Sequence, residues 1–259
     1  MNADQILALF DQEQRRDVEF SDVRREVTPT VVRQVGLYHP ESAIIYSWLT
    51  PDNVEAAIRA EIAYFDHLGH ELEWKVYAHD TPADLKDRLL AHGFEAEEPE
   101  ALVVLDLESA PAVLFQPVSH DVRRITDPDN LRDLAIVHEG VWQEDFTILH
   151  ERLAHDLQQD PAHICIYAAY VDGLPASAAW IYFHEGSQFA SLWGGSTLPA
   201  YRKRGLYSAV LAVRAQEARR RGVRFLTVDA SPMSRPILQS FGFQWLTTIY
   251  PCKWPGKQS

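Results

Sequence analysis

A basic, glycine-containing turn between a predicted strand and a predicted helix decides the fold. It lies in the stretch Ser191–Val210, which reads SLWGGSTLPAYRKRGLYSAV. The residues that follow, Tyr207–Arg221, predict an amphipathic helix that Gly222 ends. Such a turn presents backbone N–H groups at a helix N-terminus, where the helix dipole adds partial positive charge. Because Lys203 and Arg204 add formal charge at the same point, the stretch predicts a site for a pyrophosphate group.

This turn differs from the two common glycine-rich nucleotide-binding motifs. Gly205 permits the close backbone approach that a ligand phosphate requires. A Walker A loop and a dinucleotide fingerprint both need further glycines, and these are absent from the turn.

The charge of the chain is unevenly distributed. The 259 residues carry a formal charge of −13, with 9 basic and 23 acidic side chains in residues 1–115 and 15 basic and 14 acidic in residues 116–259. Residues 201–224 hold eight basic side chains and one acidic side chain. A nucleic-acid binder usually spreads its positive charge over a face. A confined basic segment therefore favours a small polyphosphate ligand, and Arg214–Arg224 is predicted to be the solvated face of a helix.

Composition is typical of a soluble globular protein, with 46% hydrophobic and 24% charged residues. The length predicts one large domain or two small ones. No apolar run approaches the ~18–20 residues of a membrane-spanning helix, and Met1–Phe20 predicts a short amphipathic helix rather than a secretory signal. Cys165 and Cys252 form no CxxC pair, so neither a disulfide scaffold nor a cysteine zinc site is expected, and a cytoplasmic location is predicted.

Alternating strand and helix patterns divide the chain into two similar parts. A proline-marked, weakly patterned stretch, Glu108–Val118, predicts a linker, with the boundary near residue 115. Each part ends with a strand, a helix, a Gly-Phe pair and a further strand, the pairs being Gly93-Phe94 and Gly242-Phe243. This repeated unit predicts a duplicated domain, although a match this short can also arise by coincidence.

The basic turn resembles the acetyl-coenzyme A loop of the GNAT N-acetyltransferase superfamily. That family's signature is Arg/Gln-x-x-Gly-x-Gly/Ala. The segment Arg202-Lys203-Arg204-Gly205-Leu206-Tyr207 fits the first four positions and departs at the last, where Tyr207 replaces a small residue. A second block, Ser231–Phe243, resembles the family's Asn-x-x-Ala-x-x-Leu-Tyr-x-x-x-Gly-Phe element, and the order of elements from Val122 to Lys253 is similar to the family's order.

The resemblance implies an α+β fold with two acetyltransferase-like domains. Each is expected to have a mixed, mostly antiparallel central sheet flanked by helices, and the N-terminal one is reduced. Residues 1–115 are expected to form a degenerate domain, because no basic glycine turn lies between Leu49 and Val54. Residues 116–259 are expected to form the acetyl-CoA-binding N-acetyltransferase domain. The residues expected to bind the cofactor are Ser196, Thr197, Leu198, Arg202, Lys203, Arg204, Gly205, Leu206, Tyr207, Ser208 and Ser231.

The resemblance also implies direct attack of an amine on the acetyl thioester. A backbone N–H in Ser196–Leu198 is expected to contact the thioester carbonyl. The family's usual proton-donating tyrosine is replaced by Leu238, which leaves Tyr207 or Tyr250 as substitutes. Asp229 is the candidate general base, and the alternative that it caps the following helix stays open.

Four further residues are expected to line the acceptor site: Trp142, Glu144, Asp145 and Trp193. The alternatives are solubility for the acids and core packing for the tryptophans. No metal is expected, because the histidines lack a His-x-x-x-His spacing on one helix.

The sequence therefore predicts an enzyme that transfers acetyl from acetyl-CoA to a primary amine, with a small-molecule acceptor expected and a protein acceptor left open. It is expected to act as a monomer or homodimer, with no nucleic-acid or membrane partner. Two rival hypotheses are a non-catalytic acyl-CoA binder or sensor, supported by Leu238, and a nucleic-acid-associated protein that uses Arg214–Arg224.

Overall fold

The computed structural model describes residues 1–256 and divides the chain into two compact units. The first unit contains residues 1–103, residues 229–239 and the C-terminal segment from Gln244. The second contains residues 104–228 and 240–243. By packing, the last strand therefore belongs to the first unit. The domain boundary that the sequence predicts near residue 115 stays a prediction.

Helices and strands alternate along most of the chain. The α-helices are α1 (Ala3–Phe10), α2 (Val54–Leu68), α3 (Leu85–Ala91), α4 (Arg132–Trp142), α5 (Thr147–Gln159), α6 (Leu206–Arg220) and α7 (Arg235–Ser240). The strands are β1 (Val23–Val27), β2 (Val31–Gly36), β3 (Glu41–Ser47), β4 (Glu71–Tyr77), β5 (Glu95–Ala96), β6 (Glu100–Asp106), β7 (Asp121–Ile125), β8 (Ile164–Val171), β9 (Leu174–Phe183), β10 (Phe189–Thr197), β11 (Phe225–Ala230) and β12 (Gln244–Trp254). None of the helices in residues 1–256 is long and apolar enough to cross a membrane.

The first unit is a mixed sheet with helices packed on it. Strands β1, β2 and β3 are antiparallel neighbours, β3 runs parallel to β4, and β4 pairs with β12 in antiparallel register. The parallel pair is joined through α2, as a parallel connection requires. Ile58 and Phe65 of α2 are fully buried against the sheet with Ile44 and Trp74. Burial of each such side chain stabilises the unit by about 1.5–3 kcal/mol.

The second unit has a similar mixed sheet. Strands β7, β8, β9 and β10 are antiparallel, and β11 pairs in parallel with β10 through Ser191↔Thr227. Alternate residues of β8 and β9, such as Ile164 and Trp180, pack under α4 and α5. The intervening residue Cys165 is contacted by Arg221, which follows α6. Because successive strand residues face opposite sides, α6 lies on the sheet face opposite to α4 and α5.

The predicted fold class is confirmed, since both units are α+β with mostly antiparallel sheets flanked by helices. The repeated Gly-Phe unit is present in the structure, where Gly93 and Gly242 both have positive φ angles, of 95° and 90°. Two elements differ from prediction. The N-terminal helix ends at Phe10 and continues as a π-helical turn, Asp11–Arg16, and β1 was not predicted because its sequence VRREV is polar.

Candidate active site

β10 carries a β-bulge at Gly194 and Gly195. Its register with β9 shifts between Trp193 and Ser196, so two residues of β10 face one residue of β9. Such a bulge bends the strand and leaves an amide outside the ladder. Gly194 has a φ of 62°, and a Cβ at this position would lie 1.8 Å from the Trp180 ring. The bulge therefore requires glycine at position 194.

His138 on α4 contacts this bulge from the interior of the unit. Its Nε2 lies 3.0 Å from the carbonyl oxygen of Gly194. Because a carbonyl only accepts, Nε2 carries the proton. The residue is 2% exposed, and burial lowers the pKa of His138 to about 4. The imidazole is thus a neutral hydrogen-bond donor at pH 7.

Arg214 on α6 approaches the same bulge from the opposite sheet face. Its Nη1 donates to the carbonyl of Trp180 at 3.1 Å and lies 3.5 Å from the carbonyl of Trp193. The side chain is 2% exposed and burial lowers its pKa to about 10. The prediction that Arg214 lies on a solvated helix face was wrong, because strand carbonyls at the irregular part of the sheet accept its N–H groups. Arg219 and Arg220 are exposed, as predicted.

The cationic side chains of the turn between β10 and α6 are exposed to solvent. Arg202, Lys203 and Arg204 are all exposed. Lys203 and Gly205 have positive φ angles of 61° and 80°, which turn neighbouring amides toward one side. The Nε of Arg202 donates to the carbonyl of Thr197 at 3.1 Å, which ties the turn to the end of β10.

α6 begins directly after Gly205 and has no side-chain cap. The amides of Leu206, Tyr207 and Ser208 have no hydrogen-bond acceptor within residues 1–256, as expected for the first turn of an uncapped helix. A Cβ on Gly205 would lie 3.2 Å from the ring of His120. Free amides, exposed cations and a space that a side chain would fill together fit a pyrophosphate group.

Tyr207 turns its ring toward the bulge. A Cβ on Gly195 would lie 3.0 Å from the Tyr207 ring and 3.6 Å from its hydroxyl oxygen. The crowding expected from a tyrosine at the start of the helix is thus avoided, because Gly195 leaves room for the ring. Burial raises the pKa of Tyr207. The phenol is therefore protonated at neutral pH and is able to donate a proton near the bulge.

The three residues expected to offer backbone N–H groups have different surroundings. Leu198 N–H donates to the carbonyl of Ala176 at 3.0 Å and is therefore already engaged. The hydroxyl of Ser177 donates to the carbonyl of Ser196 at 2.7 Å and lies 2.8 Å from the hydroxyl of Thr197. These contacts fix the end of β10 next to the basic turn.

The two tryptophans expected at the acceptor site are partly exposed. Trp142, at the end of α4, is 48% exposed and donates from Nε1 to the hydroxyl of Ser196 at 3.1 Å. Trp193 is 39% exposed on the bulged strand. The structure thus places Trp142 beside a predicted cofactor residue, and neither tryptophan is a buried core residue.

The two acids near these tryptophans are on the surface. Asp145 accepts hydrogen bonds from the amide and hydroxyl of Thr147 at 2.8 and 2.6 Å, so it holds the start of α5. These hydrogen bonds lower the pKa of Asp145. Glu144 is exposed. Asp145 and Glu144 are thus both exposed at the surface, and the alternative that these acids serve solubility stays open.

The other predicted residues lie in the first unit. Asp229 accepts from Nζ of Lys75 at 2.9 Å, and it does not cap α7. Ser231 accepts from the amide of Ser234 at 3.2 Å and holds the turn before that helix. Tyr250 packs on the core of the first unit, with the Lys86 ammonium 4.9 Å from its ring centre. These contacts give no support to a catalytic role for Tyr250.

The residue at the position of the family's usual tyrosine and the two cysteines are all buried. Leu238 is 1% exposed and packs as a core residue. Cys165 and Cys252 are free thiols in buried positions. Within residues 1–256, no group of three or more potential metal ligands is clustered.

Sequence reasoning missed the contact between His138 and the Gly194 carbonyl. The pair Gly194-Gly195 was visible in the sequence, and glycines inside a predicted strand often mark a bulge. No local pattern, however, identifies which side chain will reach the bulge.

Comparison with known proteins agrees with this geometry. The sequence model of the Acetyltransferase (GNAT) family matches residues 129–243. A comparison with curated protein sequences gave no match.

Several solved structures share the fold over nearly the whole chain. A GCN5-related N-acetyltransferase from Kribbella flavida is 16% identical, with a TM-score of 0.70 and coverage of 98% of this chain and 96% of that one. A second, from Sphaerobacter thermophilus, is 15% identical, with a TM-score of 0.60 and coverage of 98% and 87%. A tandem GNAT protein from the clavulanic acid biosynthesis pathway is 14% identical, with a TM-score of 0.61 and coverage of 92% and 84%. The segment from residue 129 to residue 243, which contains the bulge and the basic turn, is thus the part of the chain that matches the GNAT acetyltransferase family model.

Proposed function

We propose that the protein is an N-acetyltransferase that moves an acetyl group from acetyl-CoA to a primary amine of a small molecule. The observation that carries this proposal is the uncapped start of α6 behind an exposed basic turn, next to a bulged strand. Bound acetyl-CoA supplies a thioester whose C–S bond breaks as the amine nitrogen forms the new C–N bond. Every further chemical task falls to residues of the chain.

The basic turn and the start of α6 are proposed to hold the pyrophosphate. Amides of Leu206, Tyr207 and Ser208 would donate to it, and Lys203 and Arg204 would supply opposite charge. Ser196 and Thr197 lie at the end of β10 and would contact the part of the ligand that follows the phosphates. Ser231 remains a predicted contact, and its hydroxyl accepts a hydrogen bond from the amide of Ser234 within its own turn.

Two groups near the bulge are proposed to assist the chemistry. An amide of the bulge would stabilise negative charge on the acyl oxygen, a contribution of about 3 kcal/mol for one donor. Tyr207 would protonate the departing thiolate, because its hydroxyl lies against Gly195 and is protonated at neutral pH. Asp229 is retained as the candidate base, with its carboxylate held by Lys75.

The acceptor is proposed to be cationic before it reacts. Trp142 and Trp193 present partly exposed aromatic rings, which attract ammonium groups. Glu144 lies exposed shortly after Trp142. These features support a small amine without identifying it.

We also infer a tandem arrangement, with residues 1–115 as a degenerate acetyltransferase-like domain and residues 116–259 as the domain that binds acetyl-CoA. The support is the absence of cations and glycine from the turn before α2, residues 48–53. One molecule of acetyl-CoA is therefore expected for each chain.

Calorimetric titration with acetyl-CoA tests the proposal on two glycine variants. Gly205→Glu places a carboxylate in the space beside His120 and is expected to abolish binding. Gly173→Glu is the matched control, because its φ is also +80° and a Cβ there has open space. Binding to wild type and to Gly173→Glu, but not to Gly205→Glu, supports the site. No binding to wild type contradicts it.

A second candidate function is a non-catalytic acyl-CoA sensor, which Leu238 at the usual tyrosine position favours. An amine screen that follows release of the free thiol separates the two. Thiol release that requires an amine supports the transferase. Binding of acetyl-CoA with no release for any amine class supports the sensor.

A further inference from the structure

We infer that His138 is a positioning residue that aims the Gly195 amide at the acyl oxygen, an inference that rests on the proposed function. The starting observation is the 3.0 Å contact between Nε2 of His138 and the carbonyl oxygen of Gly194. This side chain lies on α4 and is 2% exposed. It therefore acts on the bulge through the backbone and not by touching the ligand.

The direction of the Gly195 amide follows from the geometry of one peptide group. The only cis peptide bond within residues 1–256 is Thr81-Pro82, so the Gly194–Gly195 peptide is trans. In a trans peptide the C=O and the N–H point in opposite directions. By holding the Gly194 carbonyl, His138 directs the Gly195 N–H away from α4.

The surroundings of Gly195 favour that direction for a ligand. Gly195 lies against the Tyr207 ring, at the start of the helix that follows the basic turn. β10 pairs with β11 from Phe189 to Ser191, and within residues 1–256 the part of β10 that follows Ser191 has no partner on that edge. An N–H aimed away from His138 thus lies beside the hydroxyl proposed to protonate the thiolate.

A second side chain, that of Arg214, contacts the carbonyl group of the preceding residue, Trp193. Nη1 of Arg214 lies 3.5 Å from the carbonyl of Trp193 and donates to Trp180 at 3.1 Å. Because Arg214 comes from α6 and His138 from α4, the two consecutive carbonyls of the bulge are held from opposite sheet faces. Rotation of the Gly194–Gly195 peptide would therefore break the His138 hydrogen bond.

The environment of His138 holds its imidazole in one protonation state and one tautomer. The ring contacts Phe146, His150 and Trp180 at centroid distances of 5.4, 6.2 and 5.5 Å. The polar groups that face it are the Gly194 carbonyl and the His150 imidazole. The second nitrogen, Nδ1, is buried without a hydrogen-bond partner in residues 1–256. A neutral ring with its proton on Nε2 is the form that this pocket holds.

Two substitutions separate positioning from packing. His138→Leu replaces the hydrogen-bond donor with an apolar side chain. His138→Gln keeps an N–H donor at a similar distance from the backbone. His150→Leu is the matched control, because His150 stacks on His138 and, within residues 1–256, does not hydrogen-bond to the bulge. Thermal unfolding of each variant establishes that it is folded.

The first readout is steady-state kinetics with an amine acceptor. His138→Leu is expected to lower kcat by about 100-fold, the effect of misplacing a reacting group by about 1 Å, with KM for acetyl-CoA little changed. His138→Gln and His150→Leu are expected to stay within about fivefold of wild type. Equal losses in His138→Leu and His138→Gln, or an unchanged kcat in His138→Leu, would overturn the inference.

The second readout needs no turnover. Acetyl-CoA labelled with ¹³C at the acetyl carbonyl reports polarisation of that carbonyl through its infrared stretching frequency. Wild type and His138→Gln are expected to lower this frequency relative to free acetyl-CoA, and His138→Leu is expected to restore it. A lowered frequency in His138→Leu overturns the inference. A wild-type protein that lowers the frequency but acetylates no amine contradicts the proposed function and leaves the inference supported.

Discussion

The turns before α6 and α2 occupy equivalent positions in the two units, yet the amides in these two turns make different hydrogen bonds. Each follows a strand and leads into a helix of 15 residues that returns to a parallel strand. Before α2, the Asn53 side chain accepts from the amide of Thr50 at 2.8 Å, and the amide of Val54 donates to the Thr50 carbonyl at 3.1 Å. Before α6, neither kind of bond is made, and the amides stay available.

The electrostatics of the two turns also differ. Glu55 in the first turn of α2 is paired with Arg88 at 3.0 Å and His92 at 2.7 Å. The first turn of α6 has no acidic side chain, and Lys203 and Arg204 precede it. A helix start that engages its first amide, that of Val54, within its own turn and carries the Glu55 carboxylate is a poor site for a phosphate. We infer that a few residues in the strand-to-helix turn decide whether this connection only joins two elements or is also able to bind an anion.

The largest effect is expected from reversing the charge of the α6 turn. Lys203→Glu combined with Arg204→Glu should reduce acetyl-CoA affinity by more than about 100-fold, because two attractive contacts with a phosphate become repulsive. Isothermal titration at fixed salt measures this change and also the stoichiometry, which is expected to be one per chain.

The matched control reverses charge at the far end of the same helix. Arg219→Glu combined with Arg220→Glu changes the net charge equally on exposed side chains, and should change affinity by less than about threefold, since screening is strong beyond ~10 Å. Equal losses in the two double variants would mean that only overall charge matters. Two equivalents of acetyl-CoA would mean that the α2 turn also binds.

The next effect concerns the buried arginine of each unit. Arg15 in the first unit is 1% exposed and pairs with Asp80 and Asp11, both at 2.8 Å, whereas Arg214 is bound by carbonyl groups. Arg15→Met leaves the Asp80 carboxylate buried and unpaired, so the free energy of unfolding should fall by about 3–5 kcal/mol. Arg214→Met leaves neutral acceptors and should cost about 1–3 kcal/mol. Urea unfolding followed by tryptophan fluorescence measures both, and a larger loss for Arg214→Met would contradict this ranking.

The sequence predicted the parts of the fold that depend on local signals. Strands such as β2, β4 and β8 depend on apolar residues and flanking turns, which are encoded in neighbouring residues. The basic turn was predicted for the same reason. The polar edge strand β1 was missed, since its pairing with β2 supplies most of what holds it in the sheet.

The remaining parts of the site depend on residues that are distant in sequence. Arg214 was predicted to be solvated because its neighbours on the helix are basic, yet carbonyl groups of β9 and β10 enclose it. His138 is 56 residues away from Gly194. Neither contact leaves a local pattern, so it becomes visible only when the sheet and helices are assembled.

A pH dependence of intermediate size is expected from the buried histidines of the second unit. Burial lowers the pKa of His138 to about 4 and that of His184 to about 3, against about 6.5 in an unfolded chain. Above pH 6.5 both states are neutral. As the pH falls from 6.5 toward 4, the unfolded chain binds protons that the folded unit excludes, so stability falls by about 2 kcal/mol for each histidine at pH 4.5.

Urea unfolding between pH 4.5 and 7.5 tests this dependence. His138→Gln should remove about half of the loss at low pH. A His138→Gln variant with the wild-type slope would show that this imidazole is protonated in the folded protein.

The smallest effect is expected at Glu100 in the first unit, and its sign is opposite. Burial raises the pKa of Glu100 to about 7, with Asp229 and Glu73 adding repulsion against the attraction of Lys75. Below pH 4 both states are protonated. As the pH rises toward 7, the unfolded chain releases a proton that the folded unit retains, so stability falls as pH increases.

Glu100→Gln removes this titration. It should raise the free energy of unfolding by about 1 kcal/mol at pH 8, after allowing for the partial exposure of the side chain, and should have little effect at pH 4. The exposed neighbour Glu98→Gln is the control and should change stability equally at both pH values. The buried histidines thus lower the stability of the second unit at low pH, and Glu100 lowers that of the first unit at high pH. If Glu100→Gln gave no gain in the free energy of unfolding at pH 8, the Glu100 carboxylate would be ionised in the folded unit. Its titration would then not lower the stability of the first unit at high pH.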